Sequence, residues 1–366
     1  MIEVIAEKHA NLAGVNYIRN QLDSGELTSG STVMLEQTSA LNGVFEALVN
    51  DEITGEELTT ALDGYFFYNS TDVDNWVDLM YELKENDIKV VAYDAGYAIK
   101  ALESGQSTLD EYVQTKQDRI EKLCELRDKI ISPTNATPDE SAQNNDVSSE
   151  DKSLSNDFNN ASTNDEPPHT LSKDDLANIQ HINERIATIE ESIELITEHY
   201  DKSSVAKQID IIAAQELVEG NGECTRDGVT TEFISKSDST GKILVHAGEA
   251  HVVFGNDGVG TEGLLDENLR QAVGHENVTV TSVRDSMDGW NNWDHYKIED
   301  EQNPLQSEEV KYSVDKLVVV DPESWEMKSF DNPTSLQAQI DATNPPAEAQ
   351  LATTEPETTT PATPGM

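Results

Sequence analysis

Apolar positions along the first 131 residues fall into two periods. Short apolar runs at 2–6 and 32–35 predict strands, and the β-branched stretch IKVVAYDAG (88–96), closed by Asp94 and Gly96, predicts another. Between them, apolar residues spaced three and four apart predict helices over 12–22, 40–50, 55–63 and 73–86. A charged amphipathic helix over 107–131 stops before Pro133. The pattern resumes with a helix over 171–199, whose Leu176, Ile179, Ile182, Ile186, Ile189, Ile193 and Ile196 form one apolar stripe, and with a second helix over 203–219. Strands follow at 242–247 (KILVHA), 278–283 and 316–320, with a helix over 264–273 entered through a Gly-rich loop. Strands alternating with helices predict parallel pairing and an α/β fold, an open and mostly parallel sheet flanked by helices.

Two stretches break the pattern. Residues 132–170 carry eight acids, one lysine and almost no large apolar side chains, so they read as a disordered acidic insertion. Beyond 335 the chain turns Thr/Pro/Glu-rich and reads as a disordered tail over 336–366. The expected organisation is therefore one α/β domain in two halves, 1–131 and 171–335, separated by the insertion.

Charge narrows the partners. With 71 acidic and 24 basic side chains the formal charge is −47, a field that repels nucleic-acid phosphates and anionic membranes and favours a basic protein partner. Cys124 and Cys224 are too few for a disulfide framework and read as reduced thiols. The start of the chain lacks the basic and apolar regions of a signal peptide, and no run of 18 apolar residues predicts a membrane span. The expected location is cytoplasmic, or secreted by a route without an N-terminal signal peptide.

Candidate chemistry clusters at three predicted strand ends. Glu7 and His9, at i and i+2 in AEKH, project to one side of an extended chain. VMLE ends on Glu36, and VHAGEAH ends on His251. Ligands of open parallel sheets sit outside the carboxyl ends of the strands, so these residues are expected on one edge. Two carboxylates and two imidazoles suit a divalent metal that activates water, and equally suit metal-free acid–base catalysis; both readings stay open. The structural alternatives are a solvated strand end for Glu7 and His9, and a helix-capping carboxylate for Glu36. His246 alternates with the apolar residues of its strand and reads as a hydrogen-bonded core histidine, so it is not counted in the site. The 255–263 loop lacks the Lys-Ser/Thr of a phosphate-binding loop and reads as a site-flanking segment. The aromatic cluster WNNWDHY (290–296) is either a recognition patch or packing under a long loop.

The order of these motifs, Glu-x-His after the first strand, a glutamate ending the second and a late strand followed by Gly-x-x-His, resembles a known superfamily. It joins erythromycin esterases, ChaN haem-uptake lipoproteins, Tiki proteases and the Ras/Rap-cleaving domain of bacterial multifunctional toxins. The resemblance spans most of 1–285 outside the insertion. It implies a hydrolase of amide (peptide) or small ester bonds, with Glu7, His9, Glu36 and His251 as the catalytic cluster. The same four would be the ligands of a divalent metal such as Mn, Co or Zn. A non-catalytic haem- or metal-binding protein of the same fold, or a secreted effector engaging host proteins, is the alternative it implies. Relatives carry an Arg followed by Asn or Asp on the helix before the last strand. Here 206–217 offers Lys207 and Gln208, with Arg127 and Arg185 as guanidinium candidates elsewhere.

Overall fold

The computed structural model describes residues 1–7, 12–62, 70–132, 171–219, 226–248, 252, 265–285, 314–321 and 323–331. Seven strands make one sheet in the order β3-β2-β4-β1-β5-β6-β7. They are β1 (Ile2–Glu7), β2 (Thr32–Thr38), β3 (Lys89–Asp94), β4 (Ile243–Gly248), β5 (Val278–Arg284), β6 (Lys316–Val320) and β7 (Met327–Asp331). All neighbours pair in parallel except β6 with β7. The expected α/β architecture is what the chain adopts. Strands from either side of the 132–170 stretch share this one sheet, because β4 pairs with both β1 and β2.

Both faces of the central strands are buried, which explains their nearly continuous apolar sequence. Ile5 of β1, Val33 and Leu35 of β2, and Leu244 of β4 face a core closed by α1 (Ala13–Asp23), α2 (Asn42–Val49), α3 (Gly55–Leu62) and α4 (Ser70–Glu85). The alternate residues Ile2, Val4, Ala6, Met34, Val245 and Ala247 face a second core. Two further helices are α5 (Gly96–Ser104) and α6 (Thr108–Ile131). Then come α7 (Lys173–Glu198), α8 (Lys202–Glu219), α9 (Arg226–Ser235) and α10 (Leu265–Val273). The second core is covered by Ile234 of α9 and by Leu265 and Leu269 of α10.

The isoleucine stripe is a helix–helix seam. Ile182 and Ile189 of α7 pack with Leu123 and Ile130 of α6, while Leu176 at the start of the stripe stays exposed. Both helices open with a capping box, Ser107 with Asp110 and Ser172 with Asp175. The helices α5 and α9 and the strand β7 lie outside the elements that periodicity marks. β7 is a surface edge strand with a mixed polar sequence. Among the described residues no helix is long and apolar enough to cross a membrane. The expected insertion (132–170), apart from Ser132, and the tail (336–366) lie outside the described residues, as do Cys224, the 255–263 loop and the 290–296 aromatic cluster. Cys124 is a free thiol.

Candidate functional site

The carboxyl edge of the parallel strands carries a buried acid–imidazole pair. In the register of β1 with β4, Glu7 stands opposite Gly248, so His246, two residues earlier, shares Glu7's face. The His246 Nε2 and Glu7 Oε1 atoms are hydrogen-bonded. Both side chains are sealed from solvent, Glu7 at 0% exposure and His246 at 1%. Trp76 of α4 presses edge-on against the imidazole, with ring centroids 4.9 Å apart at 71°. This contact keeps water from the ring and leaves the Glu7 interaction unscreened.

The second oxygen of Glu7 is the unusual atom. Oε2 is buried and, among the described residues, has no hydrogen-bond donor. It lies against the first turn of α1, where a Cβ on Gly14 would fall inside its van der Waals envelope. Glycine at 14 is thus what allows the helix and the carboxylate to approach. A buried carboxylate oxygen lacking a donor is costly in a folded chain and marks a place where a proton, a water or a ligand is expected.

Glu36 stands at the end of the neighbouring β2. Alternation puts it on the face of Met34, opposite to that of Glu7, and its Oε2 accepts the Gly248 N–H at 2.6 Å. The two expected glutamates therefore flank the last residue of β4 from different sides. His9 and His251 lie outside the described residues; in the chain they follow β1 by two residues and β4 by three. Among the described residues no group of three or more His, Cys, Asp or Glu side chains forms a metal cage, so metal ligation through Glu7 would draw on residues outside them, with His9 and His251 the expected candidates.

The basic candidates fall elsewhere. Gln208 is buried between strand ends, donating to the Tyr93 carbonyl at 2.8 Å and accepting from Ser39 Oγ at 2.7 Å. Lys207 lines a cleft of about 780 Å³ along the outer edge of β3, which includes none of Glu7, Glu36 and His246. Arg127 donates to Asn183 Oδ1 at 3.1 Å on the α6–α7 hairpin, where Arg185 also sits. The buried guanidinium at the carboxyl edge is Arg284. It follows Val283, the residue paired with Glu7, and its Nε lies 3.4 Å from Ser282 Oγ.

Two residues of this edge escaped the sequence reading. His246 has the buried, hydrogen-bonded character its alternation implies, but that its partner is Glu7 depends on register across 239 residues. Arg284 ends a strand that the sequence shows, with nothing nearby in the chain to mark it. No family model, curated protein or solved structure matches this chain.

Proposed function

We propose that the chain is a hydrolase that opens an amide or ester bond, with Glu7 as the base toward water and His246 as its partner. One observation carries this reading: the fully buried Glu7 at the carboxyl end of a central parallel strand has one oxygen on an imidazole and the other without a donor among the described residues. In this role Oε2 takes the proton of an attacking water, while the bond from Oε1 to His246 holds the carboxylate and shares its charge. The glycine contact at Gly14 and the Trp76 edge fix the pair before substrate arrives, so little reorganisation is needed in the transition state. Because Glu7 is completely covered, turnover requires the chain around it to open.

The motif order that resembles the erythromycin esterase, ChaN and Tiki superfamily supports the same bond class, with peptides favoured over small esters. Glu7 Oε2 is also of the right chemical type to ligate a divalent metal together with His9 and His251, and such a metal would supply a polarised water. The test is a screen of the full-length protein, with and without added Mn, Co or Zn, on mixed peptides and chromogenic esters, beside Glu7→Gln and His246→Gln. Each variant is expected to lose about 10²–10⁴-fold in rate while its circular dichroism is unchanged. Full activity in folded Glu7→Gln overturns the assignment.

A further inference from the structure

We propose that Tyr93 and Glu36 are positioning residues for the Glu7–His246 pair, an inference that rests on the reading above. The register of β2 on β4 runs through Leu35 opposite His246, and β2 then shifts register against β3 between Leu35 and Thr38. In a parallel strand, the N–H and C=O of one residue point to the same neighbour, and residues two apart share that side. His246 and Gly248 therefore both present backbone groups toward β2 just where its regular pairing stops. Side chains complete the ladder there. The Tyr93 hydroxyl donates to the His246 carbonyl at 3.0 Å, and Glu36 Oε2 accepts the Gly248 N–H at 2.6 Å.

The direction of the two contacts matters. Tyr93 packs in the second core, so it holds the β4 backbone from the face opposite the imidazole. Its own carbonyl is pinned by Gln208, which is in turn bound by Ser39 at the end of β2. The end of β4 is thus tied to β3, β2 and α8 on one side and paired with β1 on the other. This leaves the imidazole little freedom to move away from Glu7. A misplacement of 1 Å costs on the order of 10²-fold in rate, so anchors on the backbone of a reacting residue act on turnover through it. The carboxylate of Glu36 acts here as a backbone acceptor, a role that a neutral amide oxygen can also fill.

The test reads the ring directly. In full-length protein labelled with ¹⁵N at the histidine imidazoles, a downfield ring N–H resonance that disappears in Glu7→Gln reports the pair. Tyr93→Phe and Glu36→Ala are expected to shift or exchange-broaden it, while Glu36→Gln, which keeps an acceptor for the Gly248 N–H, restores the wild-type signal. An unchanged resonance in folded Tyr93→Phe and Glu36→Ala overturns the proposal; if Glu36→Ala does not fold, Tyr93→Phe alone decides. If no ring resonance responds to Glu7→Gln, there is no pair to position and both readings fall. The expected pattern in a protein with no hydrolytic activity refutes the hydrolase reading and supports the positioning.

Discussion

Replacing Asp266 with asparagine should stabilise the protein, and by more as the pH rises. Asp266 lies in the first turn of α10, 3% exposed, with Oδ1 lacking a hydrogen-bond partner among the described residues. Burial pushes its carboxyl up from 3.8 to about 7, against the pull of Arg270 one turn on and of backbone N–H groups at the helix start, while the neighbouring Glu267 charge adds to the rise. Arg270 is shared with a second carboxylate, since its Nη2 binds Asp315 at 2.5 Å, and Asp315 also accepts the Val280 N–H at 2.9 Å. Between pH 4 and 7 the folded state holds a proton that the unfolded chain releases, so this group's contribution is whole below 3.8 and is lost as pH climbs through 7. At 1.36 kcal/mol per pH unit, the loss is about 2 kcal/mol at pH 5 and ~4 kcal/mol at pH 8. The amide introduced by Asp266→Asn keeps the shape and does not titrate, so the gain over wild type should be about 2–3 kcal/mol larger at pH 8 than at pH 5. Urea unfolding followed by circular dichroism at both pH values measures it. Equal gains at the two pH values would refute an ionising, buried Asp266.

Other substitutions probe other contacts. Lys242→Met leaves Glu3 buried without its 2.6 Å ion pair and should cost about 3–5 kcal/mol in urea unfolding at pH 7. Burial alone would raise the Glu3 carboxyl, but Lys242 and the hydrogen bonds from Lys242, Tyr17 and Thr281 outweigh it and hold it below 4.5. Its contribution is therefore present above 4.5 and lost as pH falls through its lowered value, and the Lys242→Met penalty should shrink as the pH drops below 4.5. Gly14→Ala forces a methyl into the Glu7 carboxylate and should lower stability by about 1–3 kcal/mol while abolishing the Glu7-dependent ring resonance; an unaltered resonance would contradict the close approach. Asn42→Ala removes a side chain that donates to the Ala92 carbonyl at 3.0 Å and accepts its N–H at 2.7 Å on the edge strand. Hydrogen exchange at Ala92 should accelerate at least about tenfold, and the protein should lose about 2–3 kcal/mol.

Much of the fold was legible because the central strands are buried on both faces. Runs such as KILVHA and IKVVAYD need no partner to be read, and the capped, striped helix over Lys173–Glu198 announces both its start and its buried face. What stayed hidden depends on strand order. Sequence neighbours suggest that β2 lies beside β1, whereas β4 takes that place, and only then do Glu7 and His246 share a face. Glu36 shows the same limit. Its position at a strand end is visible in VMLE, but which core its face meets and its bond to Gly248 depend on β4 lying beside β2, which no local pattern marks. Arg270, Asp315 and Asp266 were illegible too, because a charged residue is read as surface until its surroundings are known.

The place of β4 bears on how the chain is made. A nascent chain that has delivered residues 1–131 holds β1, β2 and β3, yet the slot between β1 and β2 belongs to a strand encoded more than a hundred residues later. The apolar flanks of that slot have no internal partner until synthesis passes residue 248, and closing it requires contacts of very long sequence separation, which slow folding. Glu7, among the first residues made, meets His246 only at that step. A truncated or half-translated product therefore carries the acid without its imidazole, and the Glu7–His246 pair cannot form before β4 is in place.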